Sequence, residues 1–443
     1  MGKFNLVVTI LSLLAISQAV RHGLDIPKGP YCSKVGCCDS RQDECSAPLL
    51  DTLCYCDEFC DRDVSEDCCP DFWTVCRHEL PPPPDPAPIK TCHHDGNYYL
   101  KGKEVKFNCN ICKCEEVNGR MEMLCDQNEC IINTDIMSSV NQLSYGWTAS
   151  NHSEFWGRTL NDGIRLRLGT FEPHRFVLNM NPVKKIYSLD SIPKTFDADD
   201  VWPGKITRVQ DQGWCGSSWA ISTAAVASDR FAIISRGLEE PHLSAQHLLS
   251  CNNRGQQSCN GGYLDKAWMF LKKFGVVNEE CLPYTGSTGK CGIPVNGNLL
   301  TARCIPPENK YRKDYYRTAP AYRLGNETDI MFEIMKSGPV QATMKVFQDF
   351  YMYKGGIYKN THLGESHRTG YHSVRIVGWG EESTYTGHKK FWKVANSWGH
   401  MWGENGYFKI ERGINECEIE SFVLAAWPRI ADKSNNKHRK QNP

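Results

Sequence analysis

Ser218 lies in the run Gln212-Gly213-Trp214-Cys215-Gly216-Ser217-Ser218-Trp219-Ala220, which brings a carboxamide, a cysteine and two hydroxyls within a few positions. A second stretch, Gly370-Tyr371-His372-Ser373-Val374-Arg375-Ile376-Val377-Gly378-Trp379-Gly380, carries an imidazole. A third, Asn396-Ser397-Trp398-Gly399, sets a carboxamide beside an indole. Hydroxyl, imidazole and amide are the groups that nucleophilic acyl transfer uses: the ring takes a proton during attack, and amide N–H groups receive the charge developing on the carbonyl oxygen. A serine hydroxyl does not ionise near neutral pH, so it attacks only when a base is placed to take its proton. A thiol, with a reference pKa of about 8.5, can instead pass its proton to a neighbouring imidazole and attack as the thiolate.

These residues need a scaffold, and the apolar pattern supplies one. Helical spacing runs through Trp219 to Ile234 and Ala267 to Phe274, whereas Val374 to Gly378, Phe391 to Asn396 and Gly406 to Ile410 read as short strands. The pattern predicts an α+β fold with one helical lobe and one β lobe. Cys215-Gly216-Ser217-Ser218-Trp219 matches the papain-type signature C-G-[SA]-C-[WY] everywhere except at the nucleophile, where serine stands. With the histidine and asparagine stretches and Cys417-Glu418-Ile419-Glu420-Ser421, residues 191–431 resemble the papain family, and cathepsin B most of all.

That resemblance implies a two-lobed domain with a cleft in which His372 is the base, Asn396 orients its ring and Gln212 contributes to the oxyanion hole. It also implies a Cys215–Cys259 disulfide and a buried, unpaired Cys417, with Cys251, Cys281, Cys291 and Cys304 in further bridges. Trp398 and Phe422 are expected at the cleft, Phe422 standing where cathepsin B keeps a glutamate in its specificity pocket. No histidine lies between Cys281 and Cys291, so the histidine-bearing occluding loop of cathepsin B has no counterpart. Oxygen at position 218 predicts a domain that does not cut. The alternative is a weak or unusual peptidase using Ser218 and His372.

Upstream the composition changes. Cys32, Cys37, Cys38, Cys45, Cys54, Cys56, Cys60, Cys68, Cys69 and Cys76 crowd a stretch too short to bury much apolar surface, so disulfides must take the place of a core. Residues 20–80 resemble a somatomedin B domain with an extra cysteine pair, and spacing alone leaves the connectivity open. Pro81-Pro82-Pro83-Pro84-Asp85-Pro86-Ala87-Pro88 predicts an extended spacer over 81–91. Residues 92–130, with Cys92, Cys109, Cys112, Cys114, Cys125 and Cys130, resemble a von Willebrand factor type C module. Residues 131–190 resemble the propeptide of cathepsin B, in which a Trp-bearing helix and a Gly-Thr pair, here Gly169-Thr170, lie along the enzyme's face. If retained, such a segment would occupy the cleft.

Lys plus Arg and Asp plus Glu are each 51, so summed charge offers no general attraction toward nucleic acid or acidic membranes. The cysteine clusters point to an oxidising compartment. Lys3, the apolar run Leu6 to Ile16 and the small residues Ser17 and Ala19 predict a secretory signal over 1–19, its apolar run well short of the ~20 residues a membrane span needs. Asn151-His152-Ser153 and Asn326-Glu327-Thr328 are then candidate glycan acceptors. The basic tail 432–443 offers contact with glycosaminoglycan or another polysaccharide, or none. No motif for a cofactor or metal is expected. Together the modules resemble the tubulointerstitial nephritis antigen family, which implies an extracellular matrix glycoprotein with secreted protein ligands and no evident protease activity.

Overall fold

The structure, a computed structural model, describes residues 29–49, 52–61, 67–80, 90–143, 145–184, 186–294, 315–363, 368–384 and 387–430. The expected signal, most of the proline-rich spacer, Cys304 and the basic tail lie outside the described residues. The chain divides into two compact units, with the boundary after Ile89.

In the first unit, five disulfides take the place of a core: Cys32–Cys56, Cys37–Cys76, Cys38–Cys45, Cys54–Cys69 and Cys60–Cys68. The only β-ladder among its described residues joins Ser46–Leu49 to Thr52–Tyr55. Among the described residues, the apolar side chains buried with the cystines are Ala47 and Phe72. The sulfurs of Cys32, Cys56 and Cys69 lie close together, but all three are disulfide-bonded and so are not thiolate ligands for a metal.

The second unit begins with a hairpin, Thr91–His94 with Asn97–Leu100, and a three-stranded sheet, Glu104–Phe107, Asn110–Val117 and Arg120–Cys125. Cys92–Cys114, Cys109–Cys130 and Cys112–Cys125 staple it. Hydrogen bonds tie it to the rest of the unit. Asn108 Nδ2 donates to the Ile132 carbonyl at 2.8 Å, Gly157 N–H donates to Asn108 Oδ1 at 3.0 Å, and Gln348 Nε2 reaches the Cys130 carbonyl at 2.8 Å.

The larger body has two lobes. One is built on the helix Ser218–Ile234, whose side chains are buried almost all round, packed by helices Ala245–Cys251 and Leu264–Lys273. A helix buried on nearly every side belongs in an interior rather than on a surface, and its two charged residues are paired there, Asp229 with Arg375 and Arg230 with Glu333. The other lobe is a nine-stranded sheet in the order Tyr322–Leu324, Val423–Ala425, Val340–Val346, Gly370–Thr384, Gly387–Ala395, Tyr407–Glu411, Tyr353–Tyr358 and Trp147–Ala149, with Phe196–Asp197 pairing Gly378 and Trp379. The long central strand carries His372 opposite Met344. Its neighbour Gly387–Ala395 ends one residue before Asn396.

Residues 131–180 are part of this body. Ile131, Ile132, Ile136, Val140, Trp147, Phe155, Leu160 and Leu168 share one buried cluster with Phe350, Trp398 and Trp402 of the β lobe. The expected Trp-bearing helix is not there: Trp147 sits in a strand that extends the sheet and Trp156 in a turn, while the helix Thr134–Gln142 carries no tryptophan. Trp147 is drawn into the sheet because its indole N–H finds the Lys359 carbonyl at 3.0 Å while the ring packs on Tyr358.

Candidate active site and its internal occupant

Four motifs far apart in sequence converge between the lobes. Ser218 opens the central helix and is fully buried. His372 projects from the facing strand, also fully buried, and its Nε2 lies 2.7 Å from Asn396 Oδ1. That amide oxygen also accepts the Ser397 N–H at 2.8 Å, which holds the carboxamide still. Burial lowers the His372 pKa to about 4, against the opposing pull of the Asn396 hydrogen bond and with help from the Arg167 charge. The ring is therefore neutral at physiological pH.

Gln212 is fixed from both ends. Its Oε1 accepts from Ser397 Oγ at 2.6 Å, while Nε2 donates to the Cys215 carbonyl at 2.8 Å and the Leu168 carbonyl at 3.1 Å. The amide expected to receive a substrate's oxyanion is thus already bound to a carbonyl of the chain's own upstream segment. The Cys215–Cys259 bridge lies beside it, and Gly216 N–H donates to the Cys259 carbonyl at 2.7 Å.

The same segment takes both walls of the cleft. Thr170 N–H donates to the Tyr371 carbonyl at 3.1 Å on the β-lobe side. On the helical side Gly262 N–H reaches the Gly169 carbonyl at 3.0 Å, and Phe171 N–H the Gly262 carbonyl at 2.9 Å. Gly169 is required for this approach: at φ +102° it is in the region glycine favours, and a Cβ there would fall 2.1 Å from Gly216 backbone atoms.

Ser218 Oγ lies 2.9 Å from Thr170 Oγ1 and accepts the Ser373 N–H at 3.3 Å. It makes no hydrogen bond to His372, whose Nδ1 has no partner among the described residues. A general base must reach the proton it takes, so the attack that would use Ser218 and His372 is not assembled in this conformation.

Arg167 anchors the segment. Its side chain is 1% exposed, with Nη1 on Asp211 Oδ1 at 3.1 Å and the Gly213 carbonyl at 2.9 Å, and Nη2 on Glu154 Oε2 at 2.9 Å. The rings of Phe155, Trp214 and Trp398 surround the guanidinium, and Trp398 Nε1 donates to the Arg167 carbonyl at 2.6 Å. Partial burial raises the Glu154 pKa and nearby Asp211 adds to the rise, while Arg167 opposes it. Sequence reading missed Arg167. The signal available was its place between Leu166 and Leu168, a cation in an otherwise apolar run.

Trp398 and Phe422, expected at the cleft, are covered rather than open to ligand. Trp398 is 1% and Phe422 3% exposed, the first covered by the segment, the second in the same buried cluster as Val177 of that segment. The groove expected to receive ligands is filled from within. Cys251 bonds to Cys291, Cys281 is disulfide-bonded, and Cys417 is a buried free thiol. Burial and the neighbouring carboxylates Glu416 and Asp349 push the Cys417 pKa well up, so it is a poor source of thiolate. Asn151 and Asn326 are both exposed. Asn326 uses its Oδ1 to cap the helix Glu327–Ser337 through Asp329 N–H at 2.8 Å, which leaves its amide nitrogen out of the cap.

Comparison with known proteins agrees with this geometry. The family model of the papain family cysteine proteases matches residues 192–427. A human tubulointerstitial nephritis antigen-like protein is 46% identical over 94% of this chain and 92% of its own length, and the bovine tubulointerstitial nephritis antigen is 41% identical over 94% and 90%. Among solved structures, a procathepsin B from Trypanosoma congolense superposes with a TM-score of 0.57 at 29% identity, covering 68% of this chain and all of that one. The chain therefore belongs to the papain cysteine protease family, in the group formed by tubulointerstitial nephritis antigen and its relatives.

Proposed function

We propose that this is a secreted, catalytically silent papain-family glycoprotein of the extracellular matrix, in which the disulfide-rich amino-terminal modules dock protein or polysaccharide ligands and the protease-like body serves as their rigid mount. The observation that carries the reading is the state of the cleft: Ser218 Oγ is engaged by Thr170 and the Gln212 amide by the Leu168 carbonyl. Two obstacles to hydrolysis therefore stand together, the missing sulfur and the occupied site. The paired cysteines throughout the described amino-terminal residues, the candidate signal and the exposed sequons support the extracellular assignment.

The test is peptide hydrolysis, with a thiol-directed activity probe, on the full chain and its Ser218→Cys variant. Neither is expected to turn over substrate, because restoring sulfur leaves Gly169-Thr170 between both walls. Turnover by the unaltered protein that disappears in Ser218→Ala and in His372→Ala would establish the peptidase reading instead.

A further inference from the structure

The hairpin joining Asn110–Val117 to Arg120–Cys125 turns through two residues, Asn118 and Gly119, with Val117 paired to Arg120. Both central residues have positive φ, +50° and +79°, as the tightest hairpin turns require. Asn-Gly is the expected pair for such a turn, but it also has a chemistry. The glycine nitrogen can attack the asparagine side-chain carbonyl carbon, since no Cβ on the following residue obstructs the five-membered ring that forms.

Three Asn-Gly pairs fall within the described residues, and their surroundings separate them. At Asn260-Gly261 the glycine N–H donates to the Ser258 carbonyl at 3.1 Å, and a Cβ on Gly261 would fall 2.5 Å from the Phe171 ring. At Asn405-Gly406 the glycine N–H donates to the Trp402 carbonyl at 2.8 Å, and a Cβ there would meet Val209 at 2.8 Å. Both nitrogens are engaged and both backbones are walled in. Gly119 differs on each count: its N–H has no acceptor among the described residues, nothing lies within 4 Å of where its Cβ would be, and Asn118, Gly119 and Arg120 are all exposed. Attack requires the peptide after Asn118 to rotate out of the turn, and among the three described pairs this tip alone has the space and the free amide to do so.

We propose that Asn118 is a site of spontaneous conversion to isoaspartate. The Gly119 nitrogen forms a bond to Asn118 Cγ as the side-chain amide leaves as ammonia, its proton balance completed by the displaced Gly119 N–H. Water then opens the succinimide at either carbonyl, giving aspartate or isoaspartate, so the net change is one water taken up and one ammonia released. Isoaspartate puts an extra methylene into the main chain, and a two-residue turn has no room for it. The new carboxylate adds a negative charge to the tip of a hairpin whose strands already pair Glu115 with Glu122, so both the shape and the charge of the tip change.

Intact protein is held at mildly alkaline pH below its unfolding temperature, digested, and mapped by peptide mass and by isoaspartyl methyltransferase labelling. Label is expected to build up at position 118 to several-fold the level at 260 and 405, whereas in urea-unfolded protein the three positions convert at similar rates. Asn118→Gly keeps a residue suited to the turn and is expected to abolish that label. Native protein in which Asn118 stays intact while the unfolded sample converts, or in which Asn260 and Asn405 keep pace with it, overturns the proposal.

Discussion

The described residues between 29 and 80 and the cleft-filling residues 131–180 are both short stretches without a self-sufficient core, and they are stabilised in opposite ways. The first closes on itself through five disulfides and buries little besides sulfur. The second has no disulfide within it and lends its apolar side chains to a neighbour's core, adding one buried cation and a strand of hydrogen bonds. A cross-link acts mainly by restricting the unfolded chain, whereas donated side chains act only when the host is folded. Covalent stapling makes a module independent of its surroundings, and donated packing makes a segment inseparable from them.

Reduction tests this contrast most severely. With reductant but no denaturant, residues 29–80 are expected to lose their fold and become protease-sensitive throughout, since removing even one native bridge from so small a unit costs about 2–5 kcal/mol. Residues 131–180 should stay protected, as read by cleavage-site mapping of the full chain. Loss of both regions together would erase the distinction.

Arg167→Ala strikes the second mode of stabilisation. Truncating one partner of a buried ion pair costs about 3–5 kcal/mol, discounted here because Glu154 and Asp211 are partly exposed and can be rehydrated. Hydrogen exchange should report faster opening of 160–171 with residues 29–80 unchanged.

A smaller effect should follow from acid. Burial lowers both His372 and His247 from 6.5 to about 4 in the folded state, so between those values the unfolded chain binds more protons and stability falls as pH falls. One pH unit below the unfolded value, each ring costs about 1 kcal/mol. Thermal unfolding of the papain-like body should therefore drop by several degrees from neutral pH to about pH 5.5, and His372→Gln should flatten the slope. An unchanged slope would mean that the ring is solvated rather than sealed beneath the segment.

Much of the papain-like body was legible from local chemistry. The predicted helix 219–234 is found at Ser218–Ile234, and the strand over 391–396 at Gly387–Ala395, because apolar periodicity reports which face must be buried. The strand predicted over 374–378 is longer, Gly370–Thr384, and its extra residues matter: they carry Tyr371 and His372 to the cleft. The predicted tryptophan helix failed because pairing with Tyr353–Gly356 drew Trp147 into the sheet, a tertiary decision that overrode the expected local form.

Residue types alone determined that sulfur is absent at position 218, that imidazole and amide remain at 372, 396 and 212, and that cysteine crowds the amino terminus. Only the tertiary structure decided what those groups touch. Thr170 and Ser218 are 48 residues apart, and Trp398 and Arg167 are 231, so no local pattern records either contact. Short-range spacing sets which side chains share a face; which distant backbone fills a cleft depends on whether a glycine there lets two main chains close to hydrogen-bonding distance, as Gly169 does against Gly216.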